Sequence, residues 1–306
     1  MGKVTILGIF VADLAFRAPR PPQMGETIIG SDFKMGPGGK GSNQAVAAAR
    51  AGADVTFISR LGRDAFGEIA LATWKAENIR TDKVTQTGDL PTGAAYIFVQ
   101  EATGENCIIV VPGAAGAIGI ADVDQAAAEI RAAKVFVTQL EQPIAAAMHG
   151  LDIARKAGVT TVFNPAPAAP LPDAIYRLCD YITPNETEAS ALTGIQVANL
   201  DSAQAAANEL LRRGVRTVLL TLGEIGALFH DAKQSVLVPA FDAGKVVETT
   251  GAGDAFNGGF AAALAAGLDP LEAARFGCAT AGISVTRPGT APSMPKLAEI
   301  EALLAR

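Results

Sequence analysis

The sequence predicts an α/β fold: a mainly parallel sheet covered by helices on both faces, with a small additional β-sheet. Three observations point there. Short apolar runs alternate with Ala-rich segments of helical length along most of the chain, as buried parallel strands and crossover helices do. Two regions, residues about 10–35 and 92–112, break that alternation and read as extended. Glycine clusters and acids follow directly on several apolar runs, where open parallel sheets bind ligands.

Composition bounds the possibilities further. At 306 residues, the chain is long enough for two domains, or for one large core with an addition, and needs no disulfide or structural metal to stabilise it. Its 49% hydrophobic content excludes disorder, and its net charge of -6 argues against a nucleic-acid or anionic-membrane surface. A small anion can still bind in a local pocket of backbone N–H groups. Cys107, Cys179 and Cys278 are isolated and form no CxxC, so neither a zinc site nor a disulfide framework is expected. With only His149 and His230 present, a multi-histidine metal site is excluded and a general base is expected to be a carboxylate. The apolar stretch near the start is short and is broken by Asp13. It reads as a first strand, not an export signal or membrane span, and the expected location is cytoplasmic.

Strands are expected at 4–9, 55–59, 135–138, 160–163, 181–183, 217–222, 227–230 and 236–238. Helices are expected at 42–51, 66–77, 123–132, 144–156, 186–193, 202–213, 254–266, 270–285 and 297–305. Residues 93–101 and 106–111 read as two strands around a turn containing Gly104. Together with the extended stretch of residues 10–35 they are expected to form one small sheet, serving as a lid or a dimer edge. The domain division is then a core of residues 1–9, 36–91 and 113–306 and a discontinuous lid of 10–35 and 92–112.

Four motifs can carry chemistry. Gly36, Gly38 and Gly41 formally satisfy GxGxxG, but residues 31–35 read as polar and irregular instead of as a buried strand, so a dinucleotide site is disfavoured. What remains is a glycine turn entering an Ala-rich helix, with Gly39, Lys40 and Asn43 in reach of a ligand and Ser42 as an alternative simple N-cap. In Thr249-Thr250-Gly251-Ala252-Gly253-Asp254, a strand-like Val246–Val247 leads into a helix whose first N–H groups converge on an anion. Asp254 there is either a plain N-cap or a base that takes a proton from an attacking hydroxyl. Asn185 and Glu188 fit a capping box equally with phosphate and Mg²⁺ contacts. Thr221-Leu222-Gly223-Glu224-Ile225-Gly226 is a strand end at which two glycines let a nucleotide approach the backbone. Asp13 and Glu141 also follow strands and suit a ligand rich in hydroxyl donors.

These motifs, in this order over essentially the whole chain, resemble the PfkB family of carbohydrate kinases, its ribokinase branch above all. Carrying the resemblance are the run from Gly38 to Ala49, Gln139-Leu140-Glu141, Asn164-Pro165-Ala166-Pro167, Thr183 to Glu188, Thr221 to Gly223 and Gly251 to Asp254. It implies a ribokinase-like three-layer αβα core with a mainly parallel sheet and a β-sheet lid, a homodimer joined through lids, and ATP with Mg²⁺. Asp254 would be the catalytic base and Gly251, Ala252 and Gly253 the anion hole. Asp13, Gly39, Lys40, Asn43 and Glu141, with Asp254, would bind the sugar. Asn185, Thr221, Gly223, Gly226, Gly253 and Cys278 would contact ATP, and Glu188 would organise Mg²⁺ through water. The implied reaction is phosphorylation of the primary 5-hydroxyl of a pentose, ribose first, with deoxyribose and nucleosides as rivals and a non-catalytic sugar sensor as the alternative from another class.

Three positions depart from the family pattern. Val11 stands where an Asn usually holds a sugar hydroxyl, which makes 2-deoxyribose plausible. Glu248 replaces an Asp in a K⁺ site to which Thr250, Ser284, Arg287, Gly289 and Ser293 would contribute. Cys278 replaces a His near adenine. A nucleoside would need an apolar slot, for which Ala95, Ile97 and Ile109 are the candidates.

Overall fold

The structure is a computed structural model that describes residues 2–306. In chain order the elements are β1 (Lys3–Leu7), β2 (Val11–Ala18), β3 (Asp32–Gly38), α1 (Lys40–Arg50), β4 (Asp54–Gly62), α2 (Ala65–Ala76), β5 (Arg80–Thr87), β6 (Thr92–Gln100) and β7 (Asn106–Gly113). There follow α3 (Ile120–Gln125), α4 (Ala127–Ala132), β8 (Val135–Thr138), α5 (Ile144–Lys156), β9 (Thr160–Phe163), β10 (Tyr181–Ile182), α6 (Glu186–Thr193) and α7 (Leu200–Arg213). The chain closes with β11 (Thr217–Thr221), β12 (Gly226–Asp231), β13 (Ser235–Pro239), α8 (Ala252–Ala266), α9 (Pro270–Ser284) and α10 (Leu297–Leu304).

Nine strands form the main sheet in the order β13-β12-β11-β10-β9-β8-β1-β4-β5. All neighbours are parallel except β11–β12 and β12–β13. Central strands β1, β8 and β11 are apolar and buried because helices cover both sheet faces. One apolar cluster lies under α1, α2, α8 and α9, built on Val46, Phe57, Trp74, Phe256 and Phe260. The other lies under α4, α5 and α7, around Phe136, Leu151, Phe163 and Leu210. A second sheet of order β3-β2-β6-β7 joins the two regions that break the alternation.

Several details differ from the sequence expectation. The helix expected at 123–132 is interrupted at Ala126 and becomes α3 and α4. Strand β5 escapes the sequence reading because RTDKVTQT is an edge strand with little apolar content. Val246 and Val247 form no strand and are each 57% exposed. A strand does precede the glycine turn at Gly36–Gly41, but it is β3, antiparallel to β2 in the small sheet, so no dinucleotide-type unit results. Its pairing with β2 continues to Gly38. Ser42 is not an N-cap: α1 starts at Lys40 behind Gly39, and Ser42 Oγ accepts from buried Trp74 Nε1 at 3.0 Å.

Helix α8 approaches α1 closely because Gly258 has no side chain; a Cβ there would lie 2.4 Å from Ala47 Cβ and 2.6 Å from the Gln44 carbonyl. Gly259 allows the same approach to Thr280 of α9 on the other side. This packing sets the first turn of α8 beside the start of α1.

Candidate active site

The site forms where α1 and α8 begin, at the carboxyl ends of the central strands. Asp254 lies three residues after the helix-capping Gly251, whose left-handed φ of 85° turns the chain into α8. It is therefore a first-turn residue and not an N-cap. Asn43 Nδ2 donates to Asp254 Oδ2 and Gln44 Nε2 donates to Oδ1, both at 3.0 Å. Burial pushes the Asp254 carboxyl pKa up, and Lys40, Asn43 and Gln44 pull it part of the way back. A buried carboxylate so held is aimed and is more basic than an exposed one.

Around it stand several of the residues singled out in the sequence. Asn43 Oδ1 is buried with no hydrogen-bond partner in the chain, which suits an incoming hydroxyl donor. Glu141 Oε2 accepts from the Lys40 backbone N–H at 2.7 Å, at the positive end of α1. Burial raises Glu141 to about 7, against the pull of Lys40. Asp13 is likewise raised to about 7 by burial, then by Asp254 and Glu248. Burial pulls the Lys40 ammonium down, but Asp254, Glu141 and Glu188 together outweigh it and leave its pKa above the usual value. Gly38 must be glycine, since a Cβ would sit 2.1 Å from Asp13 Oδ1. Gly39 has φ 88° and passes close to the Ile9 carbonyl.

At the turn that opens α8, one of the expected N–H groups is already used. Ala252 N–H donates to the Thr249 carbonyl at 3.1 Å and so is committed to the turn. The N–H groups of Gly253 and Asp254 have no acceptor one turn earlier in α8. Gly253 is exposed, with nothing within 4 Å of where its Cβ would be, so a phosphate has room against that backbone.

On the neighbouring side, Asn185 caps α6 by accepting from Glu188 N–H at 2.8 Å, and Glu188 Oε2 accepts from Asn185 N–H at 2.9 Å. The capping box is real, yet each side chain uses one polar atom in it. Burial raises the Glu188 carboxyl pKa. Asn185 is bridged to Thr221, which places both beside the β11–β12 turn. There Gly223 has φ 55°, and Gly226 has φ 122° with no space for a Cβ, which would lie 2.0 Å from the Val238 carbonyl. These residues fit a nucleotide laid along backbone, with Glu188 offering an oxygen to a hydrated cation.

Among the cation candidates, Glu248 Oε2 accepts from Gly289 N–H at 2.9 Å. Ser293 Oγ is turned to the Thr290 carbonyl at 2.7 Å and Ser284 Oγ to the Ala281 carbonyl at 2.8 Å. The Ser284 carbonyl already accepts from Arg287 N–H, and the Arg287 guanidinium pairs with Glu299. Thr250 is exposed. The structure thus brings Glu248 and Gly289 together, while Ser284 and Arg287 are engaged elsewhere. Cys278 is buried in the core on α9, and burial pushes its thiol up to about 12.

Sheet register decides one alternative. Ala95 and Ile97 of β6 share a face with Asp13, which pairs with Ala95. Ile109 pairs with Tyr96 and therefore points to the opposite face, with the Phe16–Phe33–Tyr96 cluster. The three residues expected to line a nucleoside slot do not meet.

The pfkB family carbohydrate kinase profile matches residues 1–297. The chain belongs to that family. Among curated relatives, this carbohydrate kinase is similar to "Ribokinase" of Haemophilus influenzae, 41% identical over 292 residues and 95% of each chain. It is also similar to "Deoxyribokinase" of Salmonella typhi, 35% identical over 302 residues and 98% of each chain. Among solved structures, an Arabidopsis thaliana ribokinase complexed with ribose and ATP matches with a TM-score of 0.93 and 30% identity, covering 100% of this chain and 99% of that one. No described helix is long and apolar enough to cross a membrane.

Sequence reasoning gave no role to Gln44, which holds the second oxygen of Asp254. The available signal was a polar amide inside an otherwise Ala-rich helix, one position after Asn43.

Proposed function

We propose that the protein transfers the γ-phosphate of ATP to the 5-hydroxyl of ribose, giving ribose 5-phosphate. The observation that carries this reading is Asp254: buried, doubly held, in the same helical turn as the free N–H groups, and facing the carboxylates that suit a polyol. Asp13, Glu141, Gly39, Lys40 and Asn43 hold the sugar. Asp254 Oδ takes the O5 proton as the O5–Pγ bond forms and the bond from Pγ to the β-γ bridging oxygen breaks, releasing ADP. Gly251 and Gly253, with Lys40, stabilise the charge on the transferring group. Asn185, Thr221, Gly223 and Gly226 hold the nucleotide, and Glu188 orients Mg²⁺ through water. Bound Mg²⁺ supplies charge neutralisation on the phosphates. Glu248, Gly289 and Ser293 are the best-placed groups for a K⁺ ion.

A specific observation favours a second reading within the same reaction. Val11 lies two residues before Asp13 on the same face of β2, is 2% exposed and offers no hydrogen bond. A buried hydroxyl facing it loses its partner at a cost of roughly 1–3 kcal/mol, so 2-deoxyribose competes well with ribose. Measuring kcat/KM for ribose, deoxyribose, fructose and nucleosides, in wild type and Val11→Asn, tests both readings. Ribose turnover that improves relative to deoxyribose in Val11→Asn supports the role of Val11. No turnover of any pentose overturns the assignment.

The lid also fits a dimer. On one face of the sheet, Ile109 and Val111 of edge strand β7 are 64% and 58% exposed, and Phe16, Phe33 and Met35 add to that apolar surface. A second lid covering this sheet buries it.

A further inference from the structure

We propose that Gln44, Asn164, Thr183 and Asn257 form a two-armed positioning network that sets both the base and the anion-binding turn from a single root at Thr183. The proposal rests on the assignment of Asp254 as base and goes beyond it to residues that touch neither substrate.

The first arm starts at the Thr183 carbonyl at the end of β10. A carbonyl oxygen only accepts, so the Asn164 amide must present Nδ2 to it, and does so at 3.0 Å. That fixes Asn164 Oδ1 on the other side, where it accepts from Gln44 Nε2 at 3.1 Å. The same Gln44 nitrogen gives its second hydrogen to Asp254 Oδ1 at 3.0 Å. Gln44 Oε1 in turn accepts from Gln139 Nε2 at 2.6 Å, and Gln142 Nε2 donates to the Gln139 carbonyl at 2.6 Å. Every amide in the arm has one permitted orientation, dictated step by step from a backbone carbonyl. Turning over Asn164, Gln44 or Gln139 sets oxygen against oxygen, at the Thr183 carbonyl, at Asp254 or at Gln44 Oε1 respectively.

The second arm leaves the same residue. Thr183 Oγ1 donates to Asn257 Oδ1 at 2.6 Å, and Asn257 Nδ2 donates to the Gly253 carbonyl at 2.8 Å. It therefore fixes the peptide plane after Gly253, whose N–H belongs to Asp254. Thr183, Gln44, Asn164 and Asn257 are between 0% and 6% exposed, too dry for water to substitute for a missing partner. Thr183 also directly precedes Pro184 and Asn185, so the network ties the nucleotide side of the site to the base. A displacement of about 1 Å at the base costs on the order of 10²-fold in rate, which sets the size of the effect.

The charged groups facing Asp254 are Lys40 from α1, Asp13 from β2, Glu141 after β8 and Glu188 from α6. None of these is altered in the variants below. In Gln44→Met, which keeps length and loses both donors, kcat at saturating ribose and ATP is expected to fall roughly 10²-fold. The acidic limb of the kcat profile should move to higher pH, because a bond to the ionised carboxylate is gone. KM for ATP should stay within about threefold. Thr183→Val cuts only the second arm, so kcat falls while the acidic limb stays in place. Gln139→Met removes only the support behind Gln44; it should shift the limb in the same direction by less, and it carries the test if Gln44→Met does not fold. A wild-type limb position in folded Gln44→Met or Gln139→Met overturns the proposal. So does a Thr183→Val limb that moves with the others, which would mean a general loosening of the core. If Asp254→Asn keeps full activity, the failure lies in the assignment of the base and not in the network.

Discussion

Asp13, proposed to bind the sugar, carries a cost in stability, and Asp13→Asn exposes the exchange. Burial, then the Asp254 and Glu248 charges, raise its carboxyl from 3.8 to about 7. In the unfolded chain this group loses its proton near 3.8, while in the folded chain it keeps the proton until about 7. Between these values the folded state binds more protons, so rising pH destabilises it, and above about 7 the cost is complete. Well inside that window each pH unit is worth roughly 1 kcal/mol or a little more, and the slope falls off as pH nears 7, so the part that develops between pH 5 and pH 7 is on the order of 2 kcal/mol. At ~2.1 cal/mol/K per residue the unfolding entropy of a chain this long is about 0.6 kcal/mol/K, which converts the difference to about 3 °C. Asparagine cannot ionise and escapes the cost. Thermal scans without sugar should therefore show the Tm of Asp13→Asn, relative to wild type, rising by about 3 °C from pH 5 to pH 7 and then levelling. Ribose binding should weaken in the same variant at every pH above 7. A Tm difference independent of pH, or one that shrinks as pH rises, would refute the reasoning that burial holds this carboxyl protonated.

Other perturbations test the remaining parts of the site. Asp254→Asn should lose roughly 10²–10⁴-fold in kcat while calorimetry still detects ribose and ATP binding. In Gly38→Ala the new methyl displaces the Asp13 carboxylate, so KM for ribose should rise by about tenfold or more, with KM for ATP unchanged, in steady-state assays. Ile109→Lys places a charge on the exposed face of β7, and sedimentation should show a shift from dimer towards monomer. Initial rates in K⁺, Na⁺ and choline salts should differ if Glu248 and Gly289 hold a monovalent ion; equal rates remove that site.

What the sequence made legible divides along a physical line. Strands such as β8 and β11, apolar on both faces, announce themselves because burial selects their composition at every position. The edge strand β5 and the small-sheet strand β3 carry no such signature, since one side or both meet solvent. The candidate acids Asp13, Glu141 and Asp254 were readable because a carboxylate beside an apolar run or a glycine turn has few structural uses, although the structure puts Asp13 inside β2 and Asp254 in the first turn of α8. Gln44 and Asn257 were not, because an amide in a helix looks the same whether it faces water or a buried carboxylate. Their role depends on a partner 210 residues away for Gln44 and 74 residues away for Asn257. The approach of α8 to α1, permitted by Gly258, brings Gln44 to Asp254, and the seat of α8 beside the end of β10 brings Asn257 to Thr183. The same limit explains Ile109. Its chemistry suited a base-binding slot, but strand pairing with Tyr96 sends it to the far face. Sequence reports what a residue can bond to; register and helix packing decide which side of the sheet it does so from, and here that choice separates Ile109 from Ala95 and Ile97.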